Sequence, residues 1–190
     1  MKTLFLACCF SIVPFFVSAQ QEKKIARFVP HHVKLQFAGS IGFLSGGFGY
    51  ESAKRKLQYD FLYGYVPEKF GGITIHSVTG KLTWFIISKQ LKKGFRIDPL
   101  TTGFLLNYTF GKQYFLFTTP HYPGFYYGFP TAAHIGIFIG GAITKNKLGL
   151  YYEIGTHLKD LSGYVGNSRT LNFVDILNIG IGTRIALRKQ

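Results

Sequence analysis

Few residues in this chain have the type and spacing for chemistry, and one set resembles a hydrolytic site. Glu153, His157 and Ser162 supply a carboxylate to orient an imidazole, an imidazole to take a proton, and a hydroxyl to attack. Glu153 and His157 are four apart in an alternating run with Gly155 between them, so they share one strand face, and Ser162 follows in a loop. All three residue types are common, and an inward Glu near a loop is more often a salt-bridge partner. No catalytic residue is therefore assigned, and the three stand as candidates only. His76 and Ser77 are adjacent and point to opposite faces of a regular strand, which is poor geometry for a nucleophile and its base. His31 and His32 diverge for the same reason. With His121 and His134 elsewhere and no His-x-Glu or Cys ligand spacing, neither a metal site nor a cofactor is expected. Gly46-Gly47 and Gly140-Gly141 do not lie between a parallel strand and a helix, so they are read as places where strands bend and pack closely, not as phosphate loops.

Recognition has a second set of candidates. Phe125, Tyr126, Tyr127 and Phe129 crowd into the aromatic segment from Tyr114 to Phe129, where a surface loop would display them to an extracellular ligand.

The elements that must position these residues are strands. Val33, Leu35, Phe37, Ile41 and Phe43 alternate with Lys34, Gln36, Ala38, Ser40 and Gly42, and Leu57, Tyr59, Phe61, Tyr63 and Tyr65 alternate with Gln58, Asp60, Leu62 and Gly64. Period two recurs over Gly103 to Phe110, His134 to Gly140, Leu148 to Gly155 and Leu177 to Ile185, and Gly47 to Ser52 is a shorter strand. Ile73 to Ile87 is β-rich with ambiguous parity around Ser77 to Gly80, which predicts a bulge there. The count is eight, the smallest common number for a closed outer-membrane barrel. The fold class expected is all-β: an antiparallel up-and-down transmembrane β-barrel, with residues 33–187 forming the barrel.

Composition agrees with that expectation. Aromatic residues make up 17% and glycine contributes 23 of the 190 residues, and nothing after the leader supplies an apolar helix of spanning length. Residues 1–19 read as a cleaved secretory signal peptide, with Lys2, an apolar run from Thr3 to Val17 interrupted by Pro14, and Val17-Ser18-Ala19 at the cleavage site. Residues 20–32 then form a periplasmic N-terminal segment. Both cysteines, Cys8 and Cys9, leave with the leader, so disulfides are excluded from the mature protein. The location expected is the cell outer membrane.

The net charge of +14 gathers at short turns: Lys54, Arg55 and Lys56, then Lys89, Lys92, Lys93 and Arg96, then Lys145 and Lys147. Alternate turns of an up-and-down barrel share one end, so the excess is a polarised rim that needs no nucleic-acid partner. A basic periplasmic rim could meet anionic headgroups, but the simpler account is that Lys-rich turns keep the ends soluble. The longer loops fall at Val66 to Gly72, Gly111 to Ala132 and Leu158 to Leu171. The inward parity collects Lys34, Gln36, Glu51, Gln58, Asp60, His134, Glu153, Asn178 and Arg184, and opposite signs in a narrow barrel predict a paired plug, not a pore.

At Phe125-Tyr126-Tyr127-Gly128-Phe129-Pro130-Thr131-Ala132 and at Tyr151-Tyr152-Glu153-Ile154-Gly155-Thr156, the chain resembles small uncharacterised outer-membrane β-barrel proteins of Bacteroidota-type bacteria. The resemblance implies location and fold, and no activity comes with it. The chain departs from many outer-membrane barrels in ending Leu187-Arg188-Lys189-Gln190, without a terminal aromatic. Lipid A deacylases are also small barrels of that membrane, but they place His and Ser two apart on a strand, whereas Leu158 and Lys159 follow His157 here. The function expected is a noncatalytic outer-membrane barrel with a structural or surface-binding role, whose partners are outer-membrane lipids and an extracellular ligand. The alternative is a lipid A-modifying, deacylase-like hydrolase.

Overall fold

A computed structural model describes residues 29–116, 130–166 and 172–187. Eight strands follow one another: β1 (His32–Ala38), β2 (Leu44–Glu51), β3 (Leu57–Val66), β4 (Ile75–Gln90), β5 (Phe95–Phe110), β6 (Ala133–Lys145), β7 (Leu148–His157) and β8 (Asn178–Ala186). Each strand pairs antiparallel with the next, and β8 returns to β1 with Ala186 opposite His32, closing an up-and-down barrel. This is the all-β, eight-stranded architecture that the alternation predicts.

Period two sets which way each side chain points. Along β3, Gln58, Asp60 and Leu62 are buried while Tyr59, Phe61 and Tyr63 are exposed. The same split runs around the barrel, with Lys34, Lys81, Asp98, Asn107, Glu153 and Arg184 inside and Leu35, Phe48, Phe104, Ile137, Tyr152 and Ile181 outside. Inside is polar and outside is apolar, the reverse of a water-soluble barrel.

Tight connections gather at one end, at residues 52–56, 91–94 and 146–147. The other end carries the β1–β2 turn and the three long connections. Within these, α1 (Glu68–Gly71) stops at Gly72, whose left-handed φ of 73° lets its N–H bond to the Glu68 carbonyl. Further on, α2 (Leu158–Gly166) follows β7, and a 3-10 turn at Phe173–Ile176 is opened by reciprocal bonds between Asn172 and Asp175.

Three expectations need correction. β1 ends at Ala38, not Phe43: left-handed φ values at Ala38, Gly39 and Ser40 turn the chain, and Ile41 folds into the barrel mouth. The bulge expected at Ser77 to Gly80 is not there, because that stretch pairs without interruption with both β3 and β5. The irregularities lie between Phe85 and Lys89 in the β4–β5 ladder and between Asp98 and Thr101 in the β5–β6 ladder. Pro99 explains the location, since it has no N–H to give to either neighbour and stands in neither register. Arg96, expected at the basic turn, instead points inward, and its Nε lies 2.9 Å from both carboxylate oxygens of Asp98.

Small residues make room for the large ones that fill the barrel. Gly182 lies directly beneath the Tyr151 ring, and a Cβ there would collide with Cζ and the hydroxyl oxygen. Gly182→Val is expected to destabilise the barrel by about 1–3 kcal/mol through overpacking. Urea unfolding in micelles measures this, and adding Tyr151→Ala should restore part of the loss, because it removes the ring that the new side chain strikes.

Candidate functional site: the polar interior and the long-loop basin

The lower interior, toward the tight turns, is a connected set of charges. Asp60 on β3 accepts from three neighbours: His32 Nε2 at 2.7 Å, Lys34 Nζ at 2.7 Å and Gln58 Nε2 at 2.8 Å. Arg184 on β8 donates to Glu51 at 2.8 Å, to Gln58 at 2.7 Å and to the Thr144 hydroxyl at 3.2 Å. Higher up, Lys81 pairs with Glu153 and also donates to Gln36 Oε1 at 3.1 Å, an oxygen that the Tyr151 hydroxyl reaches at 3.1 Å. Lys34 lies 4.6 Å from the centre of the Tyr151 ring, and Lys81 lies 4.7 Å from that of Phe138. A buried charge is tolerated only when paired and hydrogen-bonded, and each carboxylate here has a cation against it. A gap beside Lys34, Gln58, Glu153 and Arg184 has about 20 Å³ of free space, on the order of one water.

Above them Ile41, Leu62, Leu105 and Phe138 are buried together inside the barrel as an apolar septum. The septum is pinned at Ile41, whose carbonyl accepts from Ser45 at 3.3 Å and from Ser77 at 2.9 Å. Over it opens a basin of about 650 Å³ facing the long connections, lined by Ser40, Ser77, Asn107, Thr109, Tyr114, His134 and Asn178 among others. Its lining is neutral among the described residues and mixes those hydrogen-bonding groups with the apolar Val66, Ile75, Leu177 and Ile179. Asn107 is held in place by its bond to Thr79 at 2.8 Å and by the Thr109 hydroxyl at 3.1 Å.

The hydrolytic candidates are not brought together. Glu153 and His157 share a face of β7, but at about 3.3 Å of rise per residue they stand roughly 13 Å apart. The carboxylate of Glu153 is engaged by Lys81, the His157 ring packs on His134 with centroids 5.4 Å apart, and Ser162 is exposed on α2. No hydrogen bond joins these three among the described residues, so the geometry gives no nucleophile and base pair. His76 contacts Tyr63 on the outer face at 2.6 Å, while Ser77 points inside. His31 and His32 diverge as the spacing predicts: the Nδ1 of His31 accepts the Glu51 N–H at 2.8 Å, and His32 enters the interior. Phe125, Tyr126, Tyr127 and Phe129 lie outside the described residues, as does His121.

Several interior members escaped the sequence reading. His32 falls one residue before the first clear alternation, and Arg96 was placed with the basic turn. Lys81 lies where Gly80 breaks the apolar parity, and Asp98 directly precedes Pro99, outside the clear alternation that begins at Gly103. The signal that could have found Lys81 is the even spacing of Ser77, Thr79, Lys81 and Thr83, all of which are buried.

Comparison with protein-family models, with curated proteins and with solved structures gave no match to this chain.

Proposed function

We propose that the chain is a noncatalytic outer-membrane β-barrel, seated in lipid by its apolar outer face, with a structural and surface-binding role at its long-loop mouth. The observation that supports it is the reversed polarity of the barrel. A closed ladder leaves no backbone edge unpaired in hydrocarbon, side chains such as Phe61, Leu106 and Ile139 give the outside an apolar belt, and the charges are inside. The septum and the filled lower interior argue against an open channel, and the separation of Glu153, His157 and Ser162 argues against hydrolysis. On this reading the tight turns face the periplasm and the basin faces outward. Its neutral lining, with Tyr114 at the rim, suits an uncharged, hydrogen-bonding extracellular ligand.

The chain contains a single tryptophan, Trp84, which lies on the outer face edge-on to Phe104 at 5.6 Å. Reconstituted in vesicles, its fluorescence should be strongly quenched by phospholipids brominated on their acyl chains. Emission indifferent to those lipids would overturn the membrane reading.

A further inference from the structure

The outer face is concave where β5, β6 and β7 meet. Between Asp98–Ala142 and Thr101–Gly140 the β5 strand advances by one residue more than β6, so Pro99 and Leu100 bulge outward opposite Gly141. Gly141 pairs with Tyr152 on β7 but has no partner on β5. A Cβ on Gly141 would lie 3.0 Å from Tyr152 Cε1 and 3.2 Å from the carbonyl oxygens of Asp98 and Pro99, so a larger residue would press on these neighbours, and the glycine keeps the surface low here. The result is a groove of about 400 Å³ walled by Ile97, Pro99, Ile143, Leu150, Tyr152 and Ile181.

Charge says what lies on the tight-turn side of the groove. Lys145 is on the same outward face of β6 as Ile143, two residues and about 7 Å nearer the tight turns, and its Nζ stands 5.0 Å from the Phe95 ring. Lys54, Lys56, Lys89, Lys92, Lys93 and Lys147 are exposed around the same end. Their carboxylate counterparts are elsewhere. Glu51, Asp60, Asp98 and Glu153 are held inside by Arg184, Lys34, Arg96 and Lys81, and Glu68, Asp160 and Asp175 belong to the long connections. Among the described residues the tight-turn rim therefore exposes lysines with no acid to balance them. Keeping turns soluble does not require acids to be excluded, and it does not account for an apolar groove directly beside the lysines.

We propose that this groove holds one acyl chain of an anionic glycerophospholipid, with the headgroup phosphate at Lys145 and the neighbouring lysines. The proposal rests on the membrane reading above. A chain lying in a concave apolar groove is contacted on several sides, where the convex wall elsewhere offers one, and the lysines select a negative headgroup.

The test uses two single-tryptophan proteins in phosphatidylcholine vesicles: the natural chain, reporting from Trp84, and Trp84→Phe with Leu150→Trp, reporting from the groove wall. Acyl-brominated phosphatidylglycerol should half-quench the groove tryptophan at a several-fold lower mole fraction than it does Trp84. That preference should vanish with brominated phosphatidylcholine or with Lys145→Glu. Equal quenching of both reporters overturns the groove while leaving the membrane reading intact. Quenching of neither defeats both. A groove tryptophan shielded from every lipid while Trp84 is quenched also overturns the proposal, because protein, such as a second copy, then covers the site. Ile181→Trp in the same background gives the same readout should the position 150 variant fail to fold.

Discussion

Asp60→Ala is expected to lower the stability of the barrel by about 3–5 kcal/mol, the cost typical of removing one member of a buried charge pair. The carboxylate is completely enclosed and accepts from His32, Lys34 and Gln58, so its loss strands an ammonium and leaves two other donors facing a void. Most of the penalty comes from the abandoned Lys34 charge, not from the lost attraction. Lys34→Met added to Asp60→Ala should therefore recover a large part of it. Urea midpoints of the refolded protein in detergent micelles measure both. A single variant within about 0.5 kcal/mol of the parent, the range of ordinary surface substitutions, would show that water reaches Asp60 and that the interior is less closed than described.

Phe61→Arg should cost about 2–4 kcal/mol in a bilayer, because Phe61 is at mid-height on β3 with more than half its surface exposed on the outer belt. Leu148→Arg, equally exposed but at the tight-turn edge of β7, should cost about 0–1 kcal/mol. The depth dependence carries the inference. A water-soluble barrel would accept arginine at both sites alike, whereas a lipid-seated one resists it most where the hydrocarbon is thickest. Folding into vesicles across a urea series separates the two outcomes.

The strands and their faces were legible because period two is strict over β1, β3, β7 and β8, and that was enough to place Lys34, Gln58, Asp60, Glu153 and Arg184 inside. Which cation meets which acid was not legible. Lys81 reaches Glu153 across the barrel, and Arg184 reaches Glu51, through a stagger of strands that no single strand encodes. The end of β1 was missed because Ile41 and Phe43 keep the apolar parity through a turn that Gly39 and Ser40 make. The bulge was misplaced because Gly80, having no side chain, interrupts the pattern without interrupting the ladder, while the break at Pro99 lies outside the clear alternation. Glu153, His157 and Ser162 were only candidates in the sequence, and four residues of extended chain put the first two farther apart than any hydrogen bond.

Closure of the barrel also bears on how it can be built. The ladder that seals it joins His32 to Ala186, the two extremes of the strand order, and Arg184 on that last strand is the partner of Glu51 on the second. A nascent sheet lacking β8 therefore carries both an open edge and an unneutralised carboxylate on its concave face, neither of which hydrocarbon tolerates. If the barrel is seated in lipid as proposed, partial assemblies have no resting place in the bilayer, and insertion and closure are expected to proceed together. A chain truncated before Asn178 should be lost to proteolysis as a whole, not accumulate as a seven-stranded remnant.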